Sequence, residues 1–308
     1  MITALAGGVG AARFLQGLVE VVPEEEVTII GNTGDDIELY GLHISPDLDI
    51  VMYTLAGIVD EDKGWGIQGD TFHCLDVLNR YGHETWFNLG DRDLATHIYR
   101  TQLLKSELSL SEVTKILRQK LGLKVNILPM TDDRFETRIK TPRSIMHFQE
   151  YLVKRQAQDE VVDILFDGVE EAKPAPGVID SILKAKTVIV CPSNPIVSIG
   201  TILSLKGIRD ALKETRAKVA AVSPIVGCSP VKGPADKLMK GLGLEVSAFA
   251  VAKLYQEFLD GFVIDQVDSV EKERIEGLGL HVVVTDSIMR SLEDKIRLAR
   301  VTLQSVGS

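Results

Sequence analysis

The sequence predicts an α/β protein: a doubly wound, mainly parallel Rossmann-like sheet with an inserted smaller subdomain of helices and short strands. Three observations lead there. Apolar runs such as Val27-Thr28-Ile29-Ile30, Thr187-Val188-Ile189-Val190 and Lys218-Val219-Ala220-Ala221-Val222 lack the polar alternation of a half-exposed strand, so both of their faces must be covered. These runs alternate with segments of helical spacing, the pattern of a covered parallel sheet. Small polar residues and carboxylates collect just behind them, where open parallel sheets place their ligands.

Composition bounds the rest. At 308 residues the chain has room for about two domains at ~150 residues each, or one large unit with an insertion. Hydrophobic residues at 45% and charged residues at 25% are the ordinary balance of a soluble globular protein. With 34 basic and 44 acidic residues the net charge is -10, which argues against a nucleic-acid or anionic-membrane surface and still allows a local basic pocket. Cys74, Cys191 and Cys228 are odd in number and far apart, so neither a disulfide framework nor a cysteine-based zinc site is expected. The first apolar stretch, Ile2 to Ala6, is too short for a secretory signal, and no run reaches the ~18 apolar residues of a membrane span. A cytoplasmic protein is expected.

In chain order, Ile2 to Ala6 reads as a strand running into Gly7-Gly8-Val9-Gly10-Ala11-Ala12-Arg13, with Phe14 to Val19 following at helical spacing. Such a turn aims backbone amides and a helix N-terminus at an anion, and a phosphate is the natural guest; the plainer reading is a tight turn alone. The dinucleotide fingerprint is incomplete, because Arg13 stands where the third glycine or alanine belongs and no acid closes the next strand. That strand instead ends in Gly31-Asn32-Thr33-Gly34-Asp35-Asp36, with Ser45-Pro46-Asp47-Leu48-Asp49 following. These carboxylates suit a hard cation or a hydroxyl proton, although Asp47 and Asp49 also fall in the first turn of a helix beginning near Pro46, where acids complement the dipole. Trp65 lies between Gly64 and Gly66, and Trp86-Phe87-Asn88-Leu89-Gly90-Asp91-Arg92-Asp93 joins aromatics to an amide that could bond a planar ring's polar edge. Asp91 also reads as the cap of a helix from Leu94 to Leu104.

Residues 91–175 are expected to form a lid-like insertion of two helices and four short strands, ended by the Pro/Gly-rich joint 171–177. Residues 1–90 and 176–308 then form the nucleotide-binding core. In its second half, Pro192-Ser193-Asn194-Pro195 is a stiff polar loop at a strand end, able to read a base edge or to cap a helix. Lys232, in another strand-end loop, is a candidate phosphate cation. The six histidines show no metal-binding spacing.

Taken in succession, the blocks at 7–14, 32–36, 45–49, 52–55, 64–66, 86–97, 147–150, 192–195 and 232–236 resemble the 2-phospho-L-lactate transferases of coenzyme F(420) biosynthesis, nearly end to end. The resemblance implies transfer of a 2-phospho-L-lactyl group from lactyl-2-diphospho-5'-guanosine to the ribityl hydroxyl of 7,8-didemethyl-8-hydroxy-5-deazariboflavin (Fo), with release of GMP and a requirement for Mg²⁺. It implies Asp36 and Asp49 as catalytic residues and Asp35, Asp36 and Asp49 as metal ligands. Fo would meet Asp49, Asn88 and Trp86, while the nucleotide and its phosphates would meet Gly7, Gly8, Val9, Gly10, Asn32, Asn194 and Lys232. An uncharged amide stands at Asn88 where some members carry lysine, which removes charge from that contact. Two other functions fit the fold: a non-catalytic nucleotide-sugar-binding regulator and an NAD(P)-dependent oxidoreductase. Expected partners are small molecules, with no nucleic acid or membrane; a homodimer is allowed.

Overall fold

A computed structural model describes residues 1–307. Seven parallel strands form the central sheet, in the order His281–Thr285, Gly261–Asp265, Lys218–Val222, Thr187–Val190, Ile2–Ala6, Val27–Gly31 and Asn126–Pro129. Ile2 is in register with Val27 on one side and Thr187 on the other. Alternate residues of each strand feed two different cores. Leu5, Ile30, Val188, Val190, Phe262 and Ile264 enter one, and Ala4, Ala6, Ile29, Ile189 and Val263 enter the other. The side-chain period of two thus buries both faces, which is why these strands are predominantly apolar, with their polar residues mostly near the ends.

Helices Gly8–Leu18, Pro46–Leu55, Leu110–Lys120 and Leu292–Gln304 cover one face, contributing Phe14, Met52, Val113 and Leu298. Helices Val178–Lys184, Ile199–Ser204, Ile208–Glu214, Ala235–Gly241 and Ala248–Tyr255 cover the other. The apolar stretch from Ile199 to Leu212 reads in sequence as one helix, but it is two, separated at Gly207, whose φ of +91° caps the second. The strand order reverses between Ile2–Ala6 and Thr187–Val190. The chain leaves these two neighbouring carboxyl ends on opposite sides, and the crevice opened there is where doubly wound sheets bind ligands.

The inserted part is smaller than 91–175. Strand Asn126–Pro129 is the edge of the main sheet, paired with Val27–Gly31, so helices Asp91–Lys105 and Leu110–Lys120 belong to the connection that leads into it. A separate antiparallel sheet of three strands, Glu136–Lys140, Ile145–His147 and Asp163–Asp167, follows. It packs Ile139, Met146 and Phe148 into the main core. A short hairpin, Ile37–Leu39 with Leu42–Ile44, turns at Tyr40 and Gly41, both at positive φ, the conformation of a tight hairpin turn.

Candidate active site

A cavity of about 520 Å³ opens at the reversal of strand order. Its floor is the turn Gly7–Gly10. Gly8 has a φ of +71°, which an L side chain adopts only with strain. A Cβ on Gly10 would collide with the carbonyl of Pro192, so this glycine is required for the two strand-end loops to touch. Gly7 donates its amide to Ser193 Oγ at 3.2 Å, and the Gly8 amide faces the Asp47 carboxylate. As first-turn residues of helix Gly8–Leu18, Val9 and Gly10 have no intrahelical acceptor for their amides. They are the donors left for a ligand.

Across the crevice, Asn194 accepts the amides of Ile196 and Val197 on its Oδ1, at 3.0 and 3.3 Å. Capping and ligand contact were alternatives in the sequence; the structure divides them within one side chain. The oxygen caps the loop, which leaves the amide nitrogen of this cavity-lining side chain free to donate. Lys232 is exposed at the cavity mouth near Gly64.

Four aspartates line the cavity: Asp35, Asp47, Asp49 and Asp93. Asp35 is buried, and its Oδ1 has no hydrogen-bond partner. Burial, and then the neighbouring charge of Asp47, hold its carboxyl well above the usual carboxylate range. Burial also pushes Asp47 up to about 7, although Asn32 Nδ2 donates to its Oδ2 at 2.9 Å. Asp36 lies one layer back. The hairpin after it returns His43 and Ser45, so that Ser45 Oγ donates to Asp36 Oδ2 at 2.7 Å and His43 Nε2 lies 3.0 Å from the same oxygen. Asp36 Oδ1 is buried without a partner.

Asp49 is differently placed. Both of its oxygens meet the guanidinium of Arg100, which is fully buried; Nη1 donates to Oδ2 at 3.0 Å and Nη2 to Oδ1. His97 Nδ1 lies 3.7 Å from Asp49 Oδ2, and its Nε2 lies 3.2 Å from Asp93 Oδ1, which also accepts from Tyr53 OH at 2.7 Å. Burial pushes the Asp93 carboxyl up, but His97 and the Tyr53 bond outweigh it and hold it below the usual range. Asp93, His97 and Arg100 are spaced i, i+4 and i+7 on helix Asp91–Lys105, one face of a helix turned toward Asp49 and Tyr53. That spacing is written in the sequence as Asp93, His97 and Arg100, a pattern that no single histidine shows by itself.

Several expected roles change. Asn32 does not line the cavity; its amide nitrogen also reaches the Val197 carbonyl at 3.3 Å and its oxygen accepts the Gly34 amide at 2.9 Å, so it positions Asp47. Both oxygens of Asp49 are engaged by Arg100, whereas Asp35 Oδ1 and Asp36 Oδ1 are buried without a hydrogen-bond partner. Trp86 packs edge-on against Phe87 at 5.7 Å and is not among the lining residues; Phe87, Asn88 and Trp65 are. Asp91 does not cap its own helix: it accepts the amides of His73 and Cys74, while Asp70 accepts those of Arg92 and Asp93. Each acid caps the other's helix and ties the Trp65 loop to the Asp93 helix. Among the described residues, no three acidic, histidine or cysteine side chains form a ready metal cage. No helix of the described residues is long and apolar enough to cross a membrane.

Fold and site define a doubly wound α/β protein with a crevice at its switch point, in which backbone amides and buried carboxylates are set among apolar side chains. Residues 2–302 match the family model of 2-phospho-L-lactate transferase CofD, and the chain belongs to that family. It is a transferase of coenzyme F(420) biosynthesis. It is 46% identical over 309 residues to a phosphoenolpyruvate transferase of Streptomyces griseus, covering 98% of this chain and 97% of the relative. It is 43% identical over 300 residues to a 2-phospho-L-lactate transferase of Methanosarcina mazei, covering 97% and 98%. A crystal structure of a Bacillus halodurans protein of the upf0052 family shares the fold, with a TM-score of 0.64 at 13% identity and 98% of each chain covered.

Proposed function

We propose that this transferase moves the 2-phospho-L-lactyl group of lactyl-2-diphospho-5'-guanosine onto the ribityl hydroxyl of Fo, releasing GMP and forming coenzyme F(420)-0. The observation that carries this reading is the composition of one cavity. Free helix-start amides, an asparagine loop, buried carboxylates and an aromatic end with Phe87 and Asn88 all line it. The amides of Val9 and Gly10 bind the diphosphate, and the Asn194 amide nitrogen faces the guanine, whose O6 and N7 are acceptors. Fo lies toward Phe87, Asn88 and Tyr53, where Asp49, held by Arg100, accepts the hydrogen bond of the attacking hydroxyl. Phosphoryl-type transfer rests chiefly on positioning and charge, and this rigid ion pair serves positioning.

Mg²⁺ fits the site in one respect: Asp35 and Asp36 present buried carboxylate oxygens without partners. Asp35, at the cavity wall, would hold it directly with phosphate oxygens and water completing its shell, the usual manner for this ion, and Asp36 would stand behind it. When bound, it would offset the charge that develops on the bridging oxygen as GMP leaves. The names of bacterial relatives support a second donor, a phosphoenolpyruvyl analogue. Incubation with Fo, each guanosine donor and Mg²⁺, followed by mass analysis, tests the reading. Formation of the phospholactyl adduct supports it, and no adduct from either donor overturns it.

A further inference from the structure

Beside the main cavity lies a side chamber of about 160 Å³, sharing with it Val9, Arg13, Gly64 and Lys232. Its inner wall is Lys295, on the last helix. A Cβ on Gly17 would collide with the Lys295 backbone, so that glycine lets the last helix press against helix Gly8–Leu18 and sets the lysine beside the phosphate-binding turn. Lys295 is only 6% exposed, and its ammonium donates to a neutral group, Gln16 Oε1, at 2.6 Å. Among the described residues, neither Lys295, Arg13 nor Lys232 forms an ion pair. Glu61 and Asp62 line the chamber from the Trp65 loop without bonding to Lys295. A buried cation left without counter-charge is costly unless an anion completes the site. Repulsion among these cations agrees, since burial and then Arg13 lower the Lys295 ammonium below its ordinary range, while Glu61 opposes the shift.

We infer that this chamber receives the carboxylate of the transferred three-carbon acid, held between Lys295 and Arg13. The inference rests on the transferase reading above. It is the place on the wall of the phosphate turn where a small anion attached to the diphosphate finds unpaired cations, and its volume suits an acid of three carbons rather than a nucleoside. Donors that lack a carboxylate are therefore discriminated here and not at the glycine turn.

Calorimetric titration of the full chain, with GMP present, compares phosphoenolpyruvate with inorganic phosphate. The wild type should bind phosphoenolpyruvate at least about ten-fold more tightly, as expected for a carboxylate meeting charged donors. Lys295→Met should bring the two affinities within about two-fold and leave GDP affinity within the same margin, while Lys295→Arg should keep the preference. Arg13→Gln, at an exposed position, should also lower the preference without entering the core. No preference in the wild type, or a full preference in both Lys295→Met and Arg13→Gln, overturns the inference. A wild type that shows the preference but fails to bind GDP overturns the nucleotide part of the proposed function and leaves the chamber assigned.

Discussion

Replacing Arg100 by methionine isolates the ion pair that fixes Asp49. Arg100 is 0% exposed and Asp49 is 4% exposed, so neither charge is screened by water. Methionine fills the arginine stem but removes both guanidinium bonds from the carboxylate, and His97 Nδ1, 3.7 Å from Oδ2, is beyond hydrogen-bond distance and does not replace them. Removing one member of a buried pair costs about 3–5 kcal/mol. With an unfolding entropy of about 2 cal/mol/K per residue, a chain of this length should lose roughly 5–8 °C of Tm. The double variant Asp49→Leu/Arg100→Met removes both charges together and should recover most of that loss, since apolar replacement of a whole buried pair is nearly neutral. Scanning calorimetry of the single and double variants reads the coupling directly. A loss below about 1 kcal/mol in Arg100→Met, or a double variant no more stable than Arg100→Met, would refute the reasoning. Turnover supplies a second readout: Arg100→Met should lower kcat by at least about ten-fold while GDP affinity stays within about two-fold, because Asp49 is held at the acceptor end and not at the glycine turn.

Three further outcomes follow from the same geometry. Asp35→Asn should raise the Mg²⁺ concentration for half-maximal turnover by at least about ten-fold, the size of even outer-shell losses, whereas Asp49→Asn should lower kcat without that shift; the reverse pattern would return the metal to Asp49. Asp47, with its folded value near 7 against an ordinary 3.8, favours the folded state most at low pH. Its contribution is lost as pH rises from about 4 through 7, so Asp47→Asn should flatten the decline of Tm across that window, measured by scanning fluorimetry. Asn88→Ala should raise the KM for Fo several-fold, a loss of about 1 kcal/mol for one hydrogen bond, with the KM for the guanosine donor unchanged; equal effects on both would remove Asn88 from the acceptor end.

The local patterns that make the fold were legible in order along the chain. The strands Thr187–Val190 and Lys218–Val222 occur at the residues read from their apolar runs, because a strand covered on both faces leaves an unbroken apolar signature. Either Ser109 or Ser111 could cap the helix that follows by residue type; Ser109 does, in a reciprocal pair with Glu112 that only the folded turn brings together. Helix Pro46–Leu55 carries Asp47 and Asp49 in its first turn as expected, yet both are buried rather than complementing a dipole in water. Sheet order was less legible: Asn126–Pro129 looks like one of several short strands, and only its pairing with Val27–Gly31 makes it part of the core.

The sequence by itself determined the classes of element, the glycine turn, the Asn194 loop and the cluster of aspartates, since each is written in a few consecutive residues. Tertiary structure decided which aspartate does what. Asp49 faces Arg100 across 51 positions of chain, and Lys295 reaches Gln16 across 279. No local spacing encodes such meetings, because they arise only when helices from distant parts of the chain pack on one face of the sheet. Burial then completes the distinction between similar carboxylates, one paired with a guanidinium at Asp49 and one with an unpartnered oxygen at Asp35.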